Sequence, residues 1–307
     1  MSKLIVSSSP HIAVPRTTRS IMLDVIIALM PAAAASIIIF GWRCLAVIVV
    51  SVAAAVLSEF LFNLICKKEW TVGDLSAVVT GLLLALNVPA TLPLWQAALG
   101  SVFAIVVVKC LFGGIGQNFA NPAITARIFL LLSFSSTSMT AAVFPTADTV
   151  SSATPLAILS GSEGELPSYI DLFLGNNGGA LGETCVLALL IGGIYLVVRR
   201  VITWHTPVVY IATVFLFSLI LGQDALAQIL SGGLFLGAIF MATDYATTPN
   251  TAWGKVIFGF GCGVITVLIR VYGSYPEGVS FSILLMNILT PYIERWTRTR
   301  PFGGVKQ

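Results

Sequence analysis

The residues able to do chemistry are few and stand in unexpected places. Asp24, Glu59, Arg127, Glu183 and Asp244 fall within or at the edge of apolar runs. An ionisable side chain inside a hydrocarbon layer costs several kcal/mol unless paired or hydrated, so each of the five is a candidate for an ion path or an inter-helix pair, with Asp24, Glu59, Arg127 and Asp244 the expected path. A second group of polar residues, Asp148-Thr149-Val150-Ser151-Ser152-Ala153-Thr154-Pro155, supplies hydroxyls and a carboxylate. By pattern alone it is a polar turn leading into a helix near Pro155, because Ser and Thr cap helices and Pro suits the first turn. No nucleophile, base and orienting group stand together, so no catalytic residue is assigned. Cys44, Cys66, Cys110, Cys185 and Cys262 show no C-x-x-C spacing, and His11 and His205 have no second ligand nearby. No metal site is expected.

These residues are carried by a chain that water cannot have as its main solvent. Of 307 residues 57% are hydrophobic and 9% charged, against about 25% charged in soluble domains. Apolar runs lie near 21–40, 43–66, 75–88, 93–111, 120–138, 180–198, 206–222, 225–242, 252–272 and 279–294. Most are long enough to cross a ~30 Å core as helices. The expectation is an all-α polytopic membrane protein of about ten transmembrane helices, one membrane domain over 1–307. The run at 75–88 is short and meets Asn87 and Pro89, as a broken helix does.

Charge sets the orientation. With the N-terminus in the cytoplasm, alternate loops and both ends collect Lys3, Arg16, Arg19, Lys67, Lys68, Lys109, Arg199, Arg200, Lys255, Arg295, Arg298, Arg300 and Lys306, 13 of the 16 basic residues. Cytoplasmic segments carry such an excess. Both termini are therefore expected inside, and the long connection at 139–179, which holds no Lys or Arg, outside. A net charge of +3 is too small to suggest nucleic acid as a partner; the lipid bilayer is the first partner.

The halves also resemble each other weakly. Gly81-Leu82-Leu83-Leu84 matches Gly233-Leu234-Phe235-Leu236, and Trp95, Gly100, Lys109 and Gly113 recur in order as Trp253, Gly259, Arg270 and Gly273. An odd number of helices per unit would make 1–138 and 180–307 two inverted repeats of five, a plan in which sites form where helices break. Two segments have the composition of such breaks: Phe112 to Pro122, and Ala242 to Asn250.

The segment Asp148 to Thr154 resembles the flavinylation motif Asp-x-x-Ser/Thr-Gly-Ala-Thr of one family. Its members are the D subunits of Rnf-type ion-translocating complexes and the B subunit of the sodium-pumping NADH:quinone reductase. Ser9-Pro10-His11-Ile12, the run Ile21 to Ala32, Gly113 to Arg127 and Met241 to Pro249 resemble further blocks of it in the same order. The resemblance implies that Thr154 carries FMN through a phosphoester made by a separate flavin transferase. Asp148, Ser151, Ser152 and Ala153 would be recognition positions, Ser152 standing where the family has Gly. It also implies a ten-helix, five-plus-five fold like that of urea and ammonium channels, and a second, noncovalent flavin, riboflavin, for which Gly113, Gly114, Asn118 and Asn121 are candidate walls. The implied partners are the A, B, C, E and G types of Rnf subunit, in a bacterial or archaeal cytoplasmic membrane. The implied role is electron transfer between ferredoxin and NAD coupled to Na+ or H+ movement. The alternative is a small-solute channel or transporter of the urea or ammonium type, without a redox cofactor.

Overall fold

The structure, a computed structural model, describes residues 16–68, 70–134, 154–161, 166–273 and 277–298. Among the described residues every regular element is helical. Three helices, α1 (Thr18–Phe40), α2 (Trp42–Ile65) and α12 (Ala252–Tyr272), are long and apolar enough to cross a membrane. Between α2 and α12 lie shorter pieces. In chain order they are α3 (Ser76–Leu86), α4 (Leu94–Phe103), α5 (Pro122–Ser133), α6 (Pro155–Leu159), α7 (Tyr169–Leu174), α8 (Val186–Val198), α9 (His205–Ile220), α10 (Ala225–Leu230) and α11 (Leu234–Leu236). The last helix is α13 (Val279–Thr297). Two stretches wind as π-helix: Ala104–Cys110 continues α4, and Gly237–Met241 continues α11.

The outer surface is that of a membrane protein. Ile38, Ile65, Val198 and Ile220 are largely exposed, which water would penalise and lipid does not. All six tryptophans are exposed, and five of them, Trp42, Trp95, Trp204, Trp253 and Trp296, lie at or next to a helix end, while Trp70 lies in the connection between α2 and α3. Such rings collect at the boundary between hydrocarbon and water.

Helix pairing follows small residues. A Cβ on Gly192 of α8 would collide with the Ala28 carbonyl oxygen of α1, and one on Gly81 of α3 would lie 2.8 Å from Val52 Cα of α2. Lipid gives no hydrophobic drive between helices, so close backbone approach is what holds them. α2 packs on α3 and α4, α9 on α10 and α12, while α1 meets α8 and α5 meets α13.

The run expected to break at Asn87 and Pro89 does so, since α3 ends at Leu86. At 1.5 Å per residue its eleven residues span only about 16 Å, half a hydrocarbon layer. The freed backbone is bonded to another irregular segment: Gly182 N donates to Leu86 O (2.7 Å) and Leu181 N to Val88 O (3.1 Å). Ser36 Oγ of α1 then donates to Leu181 O. Backbone leaves a helix at that depth only when protein satisfies it in this way. The run expected at 225–242 is not one helix. It is cut at Ser231, Gly232 and Gly233 into α10 and the α11 segment, with Gly232 at a φ of 70° that favours glycine. The run at 180–198 is helical only from Val186.

Candidate functional site

Among the described residues, ion pairs with both partners buried lie at two places. In the first, Glu59 of α2 faces Lys109 in the π-helical end of α4, and both are almost fully buried. Lys109 Nζ donates to Glu59 Oε1 (2.9 Å) and to Ser76 Oγ at the start of α3 (2.6 Å). Thr71 Oγ1 donates to the same carboxylate oxygen (2.7 Å), and Asn63 Nδ2 donates to Thr71 (2.9 Å). Glu59 Oε2 has no hydrogen-bond partner among the described residues. The sequence pattern counts Lys109 among cytoplasmic loop cations; the structure corrects this. The wider π turn places the ammonium inward against Glu59, at about 3% exposure. Its position inside the apolar run at 93–111 was the available signal.

The second place centres on Arg127 of α5. Its Nη1 donates to Ser280 Oγ (2.9 Å) and to Asn87 Oδ1 (3.3 Å), where α3 ends. Its Nη2 lies 3.0 Å from Glu183 Oε1 and also pairs with Glu277. Close by, Arg270 donates to Gln228 O (2.5 Å) and Ser231 O (3.2 Å), the free carbonyls at the end of α10. Sequence reasoning gives Arg270 no role beyond the repeat and overlooks Glu277. A cation in the last turn of α12, opposite a Ser-Gly-Gly break, was the clue to the first. Glu277, polar and between two apolar runs, gave no distinguishing signal.

The remaining charged candidates are placed differently. Asp24 accepts from Tyr195 Oη (3.0 Å) and Arg199 (3.2 Å), a bridge between α1 and the end of α8. Asp244 sits in the turn after the second π-helix and accepts from Thr247 Oγ1 (3.1 Å).

The two irregular segments meet at the centre. Asn121 caps α5 by accepting from Ala123 N (3.0 Å), and its Nδ2 donates to Met241 O (3.3 Å), where the second π-helix ends. Asn118, Asn121, Thr243, Asp244 and Tyr245 line a cleft of about 760 Å³, open mouth included, whose apolar walls include Leu83 and Phe240. Lys109 and Ser76 also line it. Gly113 and Gly114 do not; they border a separate cleft with Glu59, Lys67 and Lys68.

Thr154 lies apart from that cleft, as the N-cap of α6. Its hydroxyl accepts from Ala157 N (3.2 Å) and, among the described residues, donates to none. Pro155 at the first helical position fixes the local backbone. Thr154 lines a small cavity with Asn177, Thr184 and the two carboxylate residues that pair with Arg127, Glu183 and Glu277. Asn177 Oδ1 and Thr184 Oγ1 are buried there without partners among the described residues. Asp148, Ser151, Ser152 and Ala153 fall outside the described residues.

A profile described as the NQR2, RnfD, RnfE family matches residues 5–303. The chain belongs to this family. It is 52% identical over 306 residues to an Acetobacterium woodii protein named as the D subunit of a Na(+)-translocating ferredoxin:NAD(+) oxidoreductase complex, covering 99% of this chain and 96% of that one. It is 40% identical to a Clostridium ljungdahlii protein named as the D subunit of a proton-translocating ferredoxin:NAD(+) oxidoreductase complex, with 97% and 96% covered. A Methanosarcina acetivorans protein named as the D subunit of an ion-translocating oxidoreductase complex is 34% identical, with 99% of each chain covered. The first two names differ in the ion, so the ion is not fixed by family membership.

Proposed function

We propose that this chain is the membrane D-type subunit of an ion-translocating ferredoxin:NAD oxidoreductase complex, carrying FMN on Thr154 and relaying electrons while Na+ or H+ crosses the membrane. The observation that supports this reading most is family membership over nearly the whole length, with relatives named for that activity. The chain does not act alone.

The local chemistry of Thr154 suits an anchor. Its oxygen already accepts the Ala157 N–H and keeps a lone pair for that bond after esterification, while its proton is uncommitted and can be replaced by a phosphoryl group. When bound, flavin supplies electron transfer in one- or two-electron steps. Tethering keeps it at high effective concentration beside its redox partners. The central cleft is the seat we assign to a second, noncovalent flavin, because its walls are largely apolar with a few polar groups among them. Asn118 and Asn121 remain wall residues in this reading, and Gly113 and Gly114 belong instead to the Glu59 cleft.

The ion path we assign runs along the buried charges. Glu59, with one oxygen unpartnered and an open cleft beside it, is the entry carboxylate. Arg127 is the positive barrier further along, and Asp24 and Asp244 flank the central cleft. The helix pairings support two inverted five-helix units, 1–138 and 180–307, making about ten transmembrane segments around these sites. Both termini then lie in the cytoplasm and Thr154 outside.

Thr154→Ala tests the anchor. The variant is expected to assemble normally and lose in-gel flavin fluorescence after denaturation. Fluorescence retained on the denatured variant chain would refute the assignment.

A further inference from the structure

Another cleft opens at the end of the bundle where α9 and α12 begin. A Cβ on Gly259 of α12 would meet Thr206 O of α9, and one on Gly263 would meet Thr213, so the two helices run in the same direction and start at the same end. Between their starts and the 243–250 turn lies about 220 Å³ of open space, where ~10–15 Å³ is enough for one water. Among the lining residues are Arg200, Thr203, Asp244, Tyr245, Asn250 and Lys255.

The cations of this cleft lack a counter-ion. Lys255, half-buried in the first turn of α12, makes no side-chain hydrogen bond or ion pair among the described residues, and neither does the Arg200 guanidinium. A third cation, Arg16, reaches Arg200 O (3.5 Å) at the rim. The nearby carboxylates are engaged elsewhere: Asp244 accepts from Thr247, Glu294 from Asn250, and Asp24 from Arg199 and Tyr195. The segments 1–15 and 299–307 contain no Asp or Glu, so neither end of the chain can bring in an acidic side chain. Lys255 also stands at the positive end of the α12 dipole, which gives a cation no relief. A partly desolvated ammonium without a partner is costly, and an anion seated in the cleft offsets that cost.

The surroundings narrow the anion. Trp204 follows the lining residue Thr203, Trp253 lies two residues before Lys255, and both rings are exposed. Exposed tryptophans beside helix starts mark the level of the lipid headgroups, and α12 is long and apolar enough to cross the membrane from that level. The anion supplied there is a phospholipid phosphate, which basic clefts between helix ends hold. We propose that this cleft seats the phosphate of an anionic phospholipid of the phosphatidylglycerol class, between Lys255 and Arg200. Thr243, Asp244 and Tyr245 line both this cleft and the central one. A headgroup held here therefore steadies one wall of the central cleft.

The test uses the purified complex containing the full-length chain, reconstituted in phosphatidylcholine vesicles with phosphatidylglycerol that bears a photoactivatable group beside its phosphate. Illumination and peptide mapping report where the lipid sits. The expected result is labelling of peptides from 199–204 and 243–255, displaced by unlabelled phosphatidylglycerol but not by added phosphatidylcholine or inorganic phosphate. Lys255→Gln and Arg200→Gln should each lower this labelling about fivefold, the equivalent of roughly 1 kcal/mol per cation. Lys255→Arg should keep it. Arg298→Gln, which removes a cation at the same end but outside the cleft, should leave it unchanged. Should Lys255→Gln fail to assemble, Arg200→Gln, in an exposed turn, reads the same quantity on its own. Labelling that survives the two substitutions together, or that phosphatidylcholine displaces equally well, would overturn the proposal. Displacement by inorganic phosphate would overturn it in favour of a free anion. Absence of labelling in the wild-type complex would overturn it too, and its appearance on the isolated chain would then identify a protein partner as the cover of the cleft.

Discussion

Around Glu59 one carboxylate meets one ammonium; around Arg127 one guanidinium serves two carboxylates. The first arrangement is neutral as a pair and is closed by the hydroxyls of Thr71 and Ser76. The second depends on a neighbour, Arg270, for its balance, and that neighbour is spent on backbone carbonyls. The difference teaches what each centre can tolerate. A one-to-one pair can lose both members and leave an uncharged interior, whereas a shared arginine cannot be removed without stranding two anions.

The largest expected effect therefore comes from Arg127→Met. Removing one partner of a buried pair costs about 3–5 kcal/mol, and here two carboxylates lose the same partner, so the loss should lie at the upper end. Unfolding of the purified variant in a detergent titration measures it; wild-type stability would show that the two carboxylates are held otherwise. Lys109→Met should come next, at about 3 kcal/mol, because it strands Glu59 alone. The double variant Lys109→Met with Glu59→Leu should regain most of that stability while losing ion transport. Recovery of stability together with full transport would end the assignment of Glu59 to the ion path. The smallest effect is expected from Arg199→Met. That arginine is half exposed in its bridge to Asp24, so solvent screens the pair and little stability rests on it.

The same contrast shows how much was legible in the chain. Long apolar helices were readable because hydrocarbon imposes its thickness on the sequence, and α1, α2 and α12 follow the expected runs closely. The break at Asn87 was readable because proline follows it. The break at Ser231 was hidden inside an apolar run, where a Gly pair can mark either tight packing or a turn. Arg127 was identifiable as an intramembrane charge, but its partners Glu183 and Glu277 stand far along the chain, and only the folded bundle brings them together. Lys109 shows the cost of reading charge by loop position: a cation near a helix end can serve topology or pair inside, and π-helical winding decided for the interior. Thr154 was identified by motif resemblance alone. That its hydroxyl borders a cavity with unpartnered oxygens could not be read from local sequence, because Asn177, Thr184 and Glu277 reach it from other parts of the chain.

Peptide mass mapping of the chain isolated from native membranes probes the central assignment most directly. The account predicts that the peptide holding Thr154 carries the mass of one FMN less one water, and that fragmentation places it on that residue. A Thr154 peptide of unmodified mass, from membranes in which the complex is active, would contradict it.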